Sequence, residues 1–373
     1  MFQRCILAAL LSTASAAGAV VPVAPAPPAV AAKPAAPAAA QAAPAAQAAP
    51  AATPAPAATP ASPAAPPPAA PVTSEAAPIV VPAAIDAPQR ALIRLEVLLD
   101  RAHFSPGVID GKDGGNLKLA EAAYRKANDA ADGDRAALTD KLAAADTEPT
   151  VKHYTITDAD VAGPFVEHLP TDMAELAKLA SPAYANPVEE LAERFHMDDA
   201  LLTALNPGVD FTRAGTIVTV TAVTSDKLPA VTRIEVDKST NAVRAFGKDG
   251  KLLAVYPATV GSTERPAPSG TLKVRTVAVK ATYTFDPKRL TFGKKAEGKL
   301  EVKAGPNNPI GTTWIDLSKD TYGIHGTPDP RLVGKRASHG CVRLTNWDVE
   351  QLARSVKAGA VVVFKGTEKR AKM

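Results

Sequence analysis

Apolar residues return at helical intervals through residues 88–104, PQRALIRLEVLLDRAHF, where Leu92, Leu95 and Leu99 lie near one face and predict a helix that buries it. The turn SPGVIDGKDGG carries glycines at 107, 111, 114 and 115, and the following LKLAEAAYRKAN is built of helix formers. The period then changes. HYTITDAD at 153–160 and TIVTVTAV at 216–223 are rich in branched residues and predict strands. Between them, PVEELAERF and DDALLTALNPG predict two short helices, with Pro187 at a helix start and Asp198 as a cap. From Val231, strand-forming runs separated by Ser-Thr-Asn and Lys-Asp-Gly turns predict successive hairpins, and TLKVRTVAV and AVVVFKG continue the β pattern. One helix, TNWDVEQLARSV, interrupts it. Thr345 or Asn346 caps that helix, and Asp348 and Glu350 fall in its first turn, where the helix dipole favours negative charge.

These patterns define three folded segments, 85–148, 151–225 and 230–367, preceded by a stretch without any period. Residues 21–84 are nearly all Ala and Pro, with Lys33 as the one charge before Glu75, and their prolines exclude a continuous helix. An extended, disordered tether is expected there. Residues 1–20 set Arg4 ahead of the apolar run Cys5–Leu11 and then offer small residues at Ala14-Ser15-Ala16 and Ala17-Gly18-Ala19, the pattern of a cleaved export signal. The run is well short of the ~20 apolar residues a spanning helix needs, so no stable membrane span is expected after cleavage. The periplasm or cell wall is the expected location.

The formal net charge of +4 hides an asymmetry, because residues from 226 onward carry 27 Lys and Arg against 14 Asp and Glu, and the preceding residues 15 against 24. A basic C-terminal part attracts acidic partners. Nucleic acid is set aside: export argues against it, and no recognition-helix or aromatic stacking pattern accompanies the charge. A wall polymer bearing peptide carboxylates fits, although the same lysines would equally serve to solubilise a β surface.

Two cysteines are present, and Cys5 is expected to leave with the signal. Cys341 then has no internal partner. In an oxidising compartment such a thiol is either a buried inert side chain or a reactive one. With a pKa of ~8.5 it becomes a nucleophile only beside a base or a positive charge. His339 precedes it by two residues and would share its face in a strand, whereas His325 lies on a separate segment and would approach across strands. Cross-strand geometry favours His325 slightly, without excluding His339. Gly340 opens space beside the sulfur for a substrate carbonyl and for backbone N–H donors. Arg343 would share the cysteine's face and hold a carboxylate or favour thiolate. His153, His168 and His196 are scattered without metal-ligand spacing, so each reads as structural, and no metal or organic cofactor is expected.

Singly, each of these residues has a bland explanation. Together, His-Gly-Thr at 325–327 and Ser-His-Gly-Cys-Val-Arg-Leu at 338–344, with RPAPSGTLKV at 265–274 and NNPIG at 307–311 upstream, resemble the L,D-transpeptidase (YkuD) family over some 135 residues. The resemblance implies a mostly β catalytic domain with one helix, Cys341 as nucleophile and His325 as proton donor and acceptor. Ser338, His339, Gly340, Arg343 and Gly326 take supporting or substrate-binding positions. It implies a thioester enzyme acting on peptidoglycan tetrapeptide stems and forming 3→3 cross-links, with water or a lipoprotein lysine as alternative acceptors. The alternative of another class is a non-catalytic wall-binding protein. Helix, "GxIDGxxGG" turn and helix in residues 85–148 resemble a small peptidoglycan-binding domain, a pattern that a plain helical spacer would share. Residues 151–225, with "LNPG" before the last strand, resemble a LysM module of α+β type that would bind glycan strands, although an insertion around 160–185 departs from the compact pattern.

Overall fold

Asp86 accepts the amide of Gln89 at 2.8 Å and a proline sits in the first turn, so helix α1 (Ala87–Arg101) begins where its apolar face begins and buries Ile93, Leu95, Val97, Leu98 and Leu99. The computed structural model describes residues 82, 85–130, 133–224, 226–261, 266–288, 298–335 and 340–368. The expected export signal, residues 1–20, and, Pro82 apart, the Ala/Pro-rich tether, residues 21–84, lie outside them. All the residues described below belong to one compact unit, Thr73–Met373.

After α1 come α2 (Gly115–Ala127) and α3 (Arg135–Ala145). Strands β1 (Val151–Thr155) and β2 (Ile217–Thr221) pair antiparallel, and the chain between them forms α4 (Asp158–Ala162), α5 (Met173–Leu176), α6 (Pro187–Arg194) and α7 (Asp199–Leu205). The run HYTITDAD is therefore strand only at its start. Thr157 and Asp160 form a reciprocal capping box that starts α4, and this local side-chain bonding wins over the strand preference of the branched residues.

The C-terminal part continues through β3 (Val231–Asp237), β4 (Ala242–Phe246), β5 (Leu252–Pro257), β6 (Thr259–Val260), β7 (Gly270–Val279), β8 (Tyr283–Phe285), β9 (Leu300–Val302), β10 (Thr313–Leu317), β11 (Gly323–His325), β12 (Val342–Arg343), α8 (Asn346–Ser355) and β13 (Val356–Lys365). Among the described residues, nine of these strands form one mixed sheet in the order β5-β4-β3-β13-β7-β10-β11-β12-β6, while β8 and β9 make a separate hairpin. Ile234, Val236, Ile315, Ile324 and Val342 of the sheet bury against Val349 and Leu352 of α8. Thr345 caps α8 by accepting the Asp348 amide at 3.2 Å, which leaves the Asn346 side chain available elsewhere.

Strand β5 ends the sheet, yet its edge is covered. Ser105 N–H donates to Val255 O and Val255 N–H to His103 O, each at 2.9 Å, so the chain leaving α1 closes the exposed edge. Among the described residues, no helix is long and apolar enough to cross a membrane.

Candidate active site

Strands β11 and β12 run parallel, with Ile324 opposite Val342 and His325 opposite Arg343. Ile324 and Val342 point into the core, so alternation sends Gly323, His325, Cys341 and Arg343 to the other face. Ordinary strand spacings put the Cα atoms of His325 and Cys341 about 8 Å apart, on adjacent strands and offset along them.

Cys341 is half-buried, and its Sγ–H donates to Thr321 O at 3.5 Å. Thr321 has φ +70°, an uncommon backbone state for a branched residue. Burial pushes the thiol up, while the Gly323 amide and the Arg343 cation pull it down. The His325 ring is buried, and its Nδ1 lies 2.7 Å from Gly326 O. A carbonyl only accepts, so the Gly326 contact favours the tautomer with the proton on Nδ1, and the Ile310 carbonyl is a second backbone partner of the ring. Burial first, and Arg343 second, push His325 down to about 3. At neutral pH this face therefore carries a thiol and a neutral imidazole on adjacent strands.

Neighbouring residues fix these two. Trp314 lies opposite His325 in the β10–β11 register and stacks on it, with ring centroids 5.6 Å apart and planes 25° apart. A Cβ on Gly323 would run into the Trp314 ring, so only glycine fits there. Gly340 has φ +111°, open to glycine, and its Cα faces Tyr322, whose ring would lie 3.2 Å from an added Cβ. Burial first, and the Cys341 charge second, push Tyr283 on β8 up to about 12. Arg343 is half-buried, its Nε without a hydrogen-bond partner among the described residues.

Gly326 owes its place to Asn346. Added Cβ atoms on Gly326 and on Gly311 would each run into Asn346 Oδ1. That oxygen accepts the amides of Thr312 and Thr327, each at 3.1 Å, and so ties the NNPIG and His-Gly-Thr segments together behind the imidazole. Ser338 and His339 lie outside the described residues. Trp314, Tyr283 and Tyr322 were not singled out from the sequence, and Asn346 only as a possible cap of α8, a place that Thr345 takes. A signal for Asn346 existed in the two glycines that precede its backbone donors, but nothing local linked them to a helix start.

The chain matches the YkuD family, the L,D-transpeptidase catalytic domain, over residues 231–364. It is 29% identical over 178 residues to a Bacillus licheniformis protein bearing the name L,D-transpeptidase YkuD, covering 47% of this chain and 91% of that one. With a Bacillus subtilis protein named L,D-transpeptidase YqjB it shares 34% identity over 142 residues, 37% of this chain and 73% of the relative. An Escherichia coli protein named L,D-transpeptidase YbiS is 29% identical over 183 residues, 48% of this chain and 60% of that one.

Proposed function

The chain belongs to the YkuD family of L,D-transpeptidases, and from that membership we propose that it is a cysteine acyltransferase acting on peptidoglycan tetrapeptide stems. The observation that carries this reading is the parallel β11–β12 pairing, which puts His325 and Cys341 on one face while Gly326 O favours the imidazole tautomer with Nε2 unprotonated. Nε2 takes the thiol proton as Sγ attacks the carbonyl between the L-centre of a diaminopimelate-type residue and the terminal D-alanine. The tetrahedral oxyanion is met by backbone N–H groups around Gly340. Collapse breaks the C–N bond, His325 returns its proton to the departing D-alanine amine, and a thioester remains. The side-chain amine of a neighbouring stem then attacks, His325 takes its proton, and the C–S bond breaks to restore the thiol and leave a 3→3 cross-link. Arg343 binds a stem carboxylate.

Within the same reading, residues 1–20 export the chain and residues 21–84 tether it. Residues 85–148 act as a peptidoglycan-binding module and residues 151–225 as a LysM-like one, in the periplasm or wall.

Tetrapeptide muropeptides incubated with the protein are expected to yield free D-alanine and a cross-linked dimer by mass spectrometry, and Cys341→Ala to yield neither. A tripeptide without dimer would make it an L,D-carboxypeptidase. No release by the parent would leave only wall binding. His325→Ala is expected to slow acyl-enzyme formation by ~10² to 10⁴. Parent-like rates in that variant would overturn its role as base.

A further inference from the structure

Glu193 lies on α6, far from the catalytic strands in sequence, and is buried. Its Oε1 accepts a hydrogen bond from Asn346 Nδ2, which also donates to Pro306 O at 3.2 Å. The opposite end of the same amide, Oδ1, receives the N–H groups of Thr312 and Thr327. An Asn amide is nearly symmetric in shape, so its orientation is decided by what surrounds it. Turned over, it would set donors against the Thr312 and Thr327 donors and an oxygen against Glu193 and Pro306. Glu193 therefore helps to choose the orientation that holds Thr327, and Thr327 follows Gly326, whose carbonyl meets His325 Nδ1.

The same face is docked by further bonds. Asn307 Nδ2 donates to Ala183 O and to Glu189 Oε1, each at 3.0 Å, and Ser181 Oγ donates to Ala304 O at 2.9 Å. The charged and titratable groups facing Glu193 are Glu189 of its own helix, Asp199 of α7, Glu350 of α8 and Tyr184 ahead of α6. Burial and this acidic company push Glu193 up to about 8, against the Asn346 hydrogen bond, which favours the carboxylate.

We propose that Glu193 is a positioning residue for the acyl-transfer site, acting through Asn346 on the loop that carries His325, so that the segment around α6 is a working part of the catalytic apparatus. This rests on the acyl-transfer reading above, and the test separates the two. Hydrogen exchange of the Thr312 and Thr327 amides reports the Asn346 contact without any turnover, while D-alanine release from tetrapeptide muropeptides reports catalysis. In full-length Glu193→Leu, which removes the acceptor without leaving a charge, both amides are expected to exchange about tenfold faster and release to fall by a similar factor. Amides of β3 and β4 should keep the parent's protection. Glu193→Gln, which keeps an acceptor oxygen, is expected to restore both readouts at pH 7.

Unchanged exchange at both amides in Glu193→Leu would overturn the proposal, whether or not the parent turns over. Faster exchange with no release even from the parent would uphold the positioning and defeat the transferase reading. Should the leucine variant not fold, Glu193→Met, which keeps the length of the side chain without an acceptor oxygen, takes its place, and unchanged exchange at both amides there overturns the proposal in the same way.

Discussion

Cys341 and His325 lie on one sheet face as two neutral groups because the same features act on both. Burial opposes the thiolate and opposes the imidazolium, and Arg343 favours the first while opposing the second. The ion pair of an activated thiol is therefore not the resting state, and proton transfer belongs to the moment of attack. Alkylation of Cys341 by iodoacetamide should accordingly rise with pH only above the ordinary thiol range of ~8.5. Arg343→Gln removes the cation, which should move that rise to still higher pH and lift His325 from its depressed value. An onset near neutral pH in the parent would contradict this account.

Among the helices and strands, the start of α8 does two jobs with adjacent residues. Thr345 caps the helix, and Asn346 bonds backward to two loops that it reaches only because Gly311 and Gly326 have no side chains. Gly326→Ala is expected to cost ~1 to 3 kcal/mol by denaturant unfolding, the usual range for forcing extra atoms into a packed site. Gly311→Ala should cost more, since its φ of +62° adds backbone strain. In a double-mutant cycle, Gly326→Ala with Asn346→Ala should lose less than the sum of the single changes, because the shorter side chain vacates the space. Additive losses would remove Asn346 as the reason for that glycine.

Over the full fold, the segments 85–148, 151–225 and 230–367 share interior rather than standing apart. Val255 of β5 packs in one cluster with Leu95, Leu99, Leu117 and Leu138, and Ile93 and Ile109 pack with Leu191, Val218 and Val220. Where the segments meet, His196 Nδ1 lies 3.1 Å from Asp100 Oδ2, the His196 ring stacks on Trp347, and Ser105 Oγ donates to Asp348 Oδ2 at 3.1 Å. Burial and the nearby Asp100 charge push Asp348 up to about 7. The folded protein thus keeps a proton that the unfolded chain has released from about pH 4 upward, and stability falls as pH rises from there to about 7. Asp348→Asn should flatten that fall in thermal melts, and an unchanged slope would count against the buried carboxyl.

Most of the elements, and the two residues on which the proposed chemistry rests, are written locally in the chain. Periodicity, caps and turn residues act over a few positions, so Pro187, Asp198 and the β-branched runs could be read where they stand; HYTITDAD turned on a capping box that outweighed branching, and α3, α5 and the short strands β8 to β12 were not read from pattern. A thiol expected to lack a partner and a histidine in His-Gly-Thr were legible for the same reason. Long-range packing was needed to fix which carbonyl meets imidazole Nδ1, why Gly323 and Gly326 must be glycine, and that an acidic side chain on α6 reaches the loop of His325. Those outcomes depend on contacts between residues far apart in the chain, such as Glu193 with Asn346, and such pairs leave no period or spacing for a local pattern to carry.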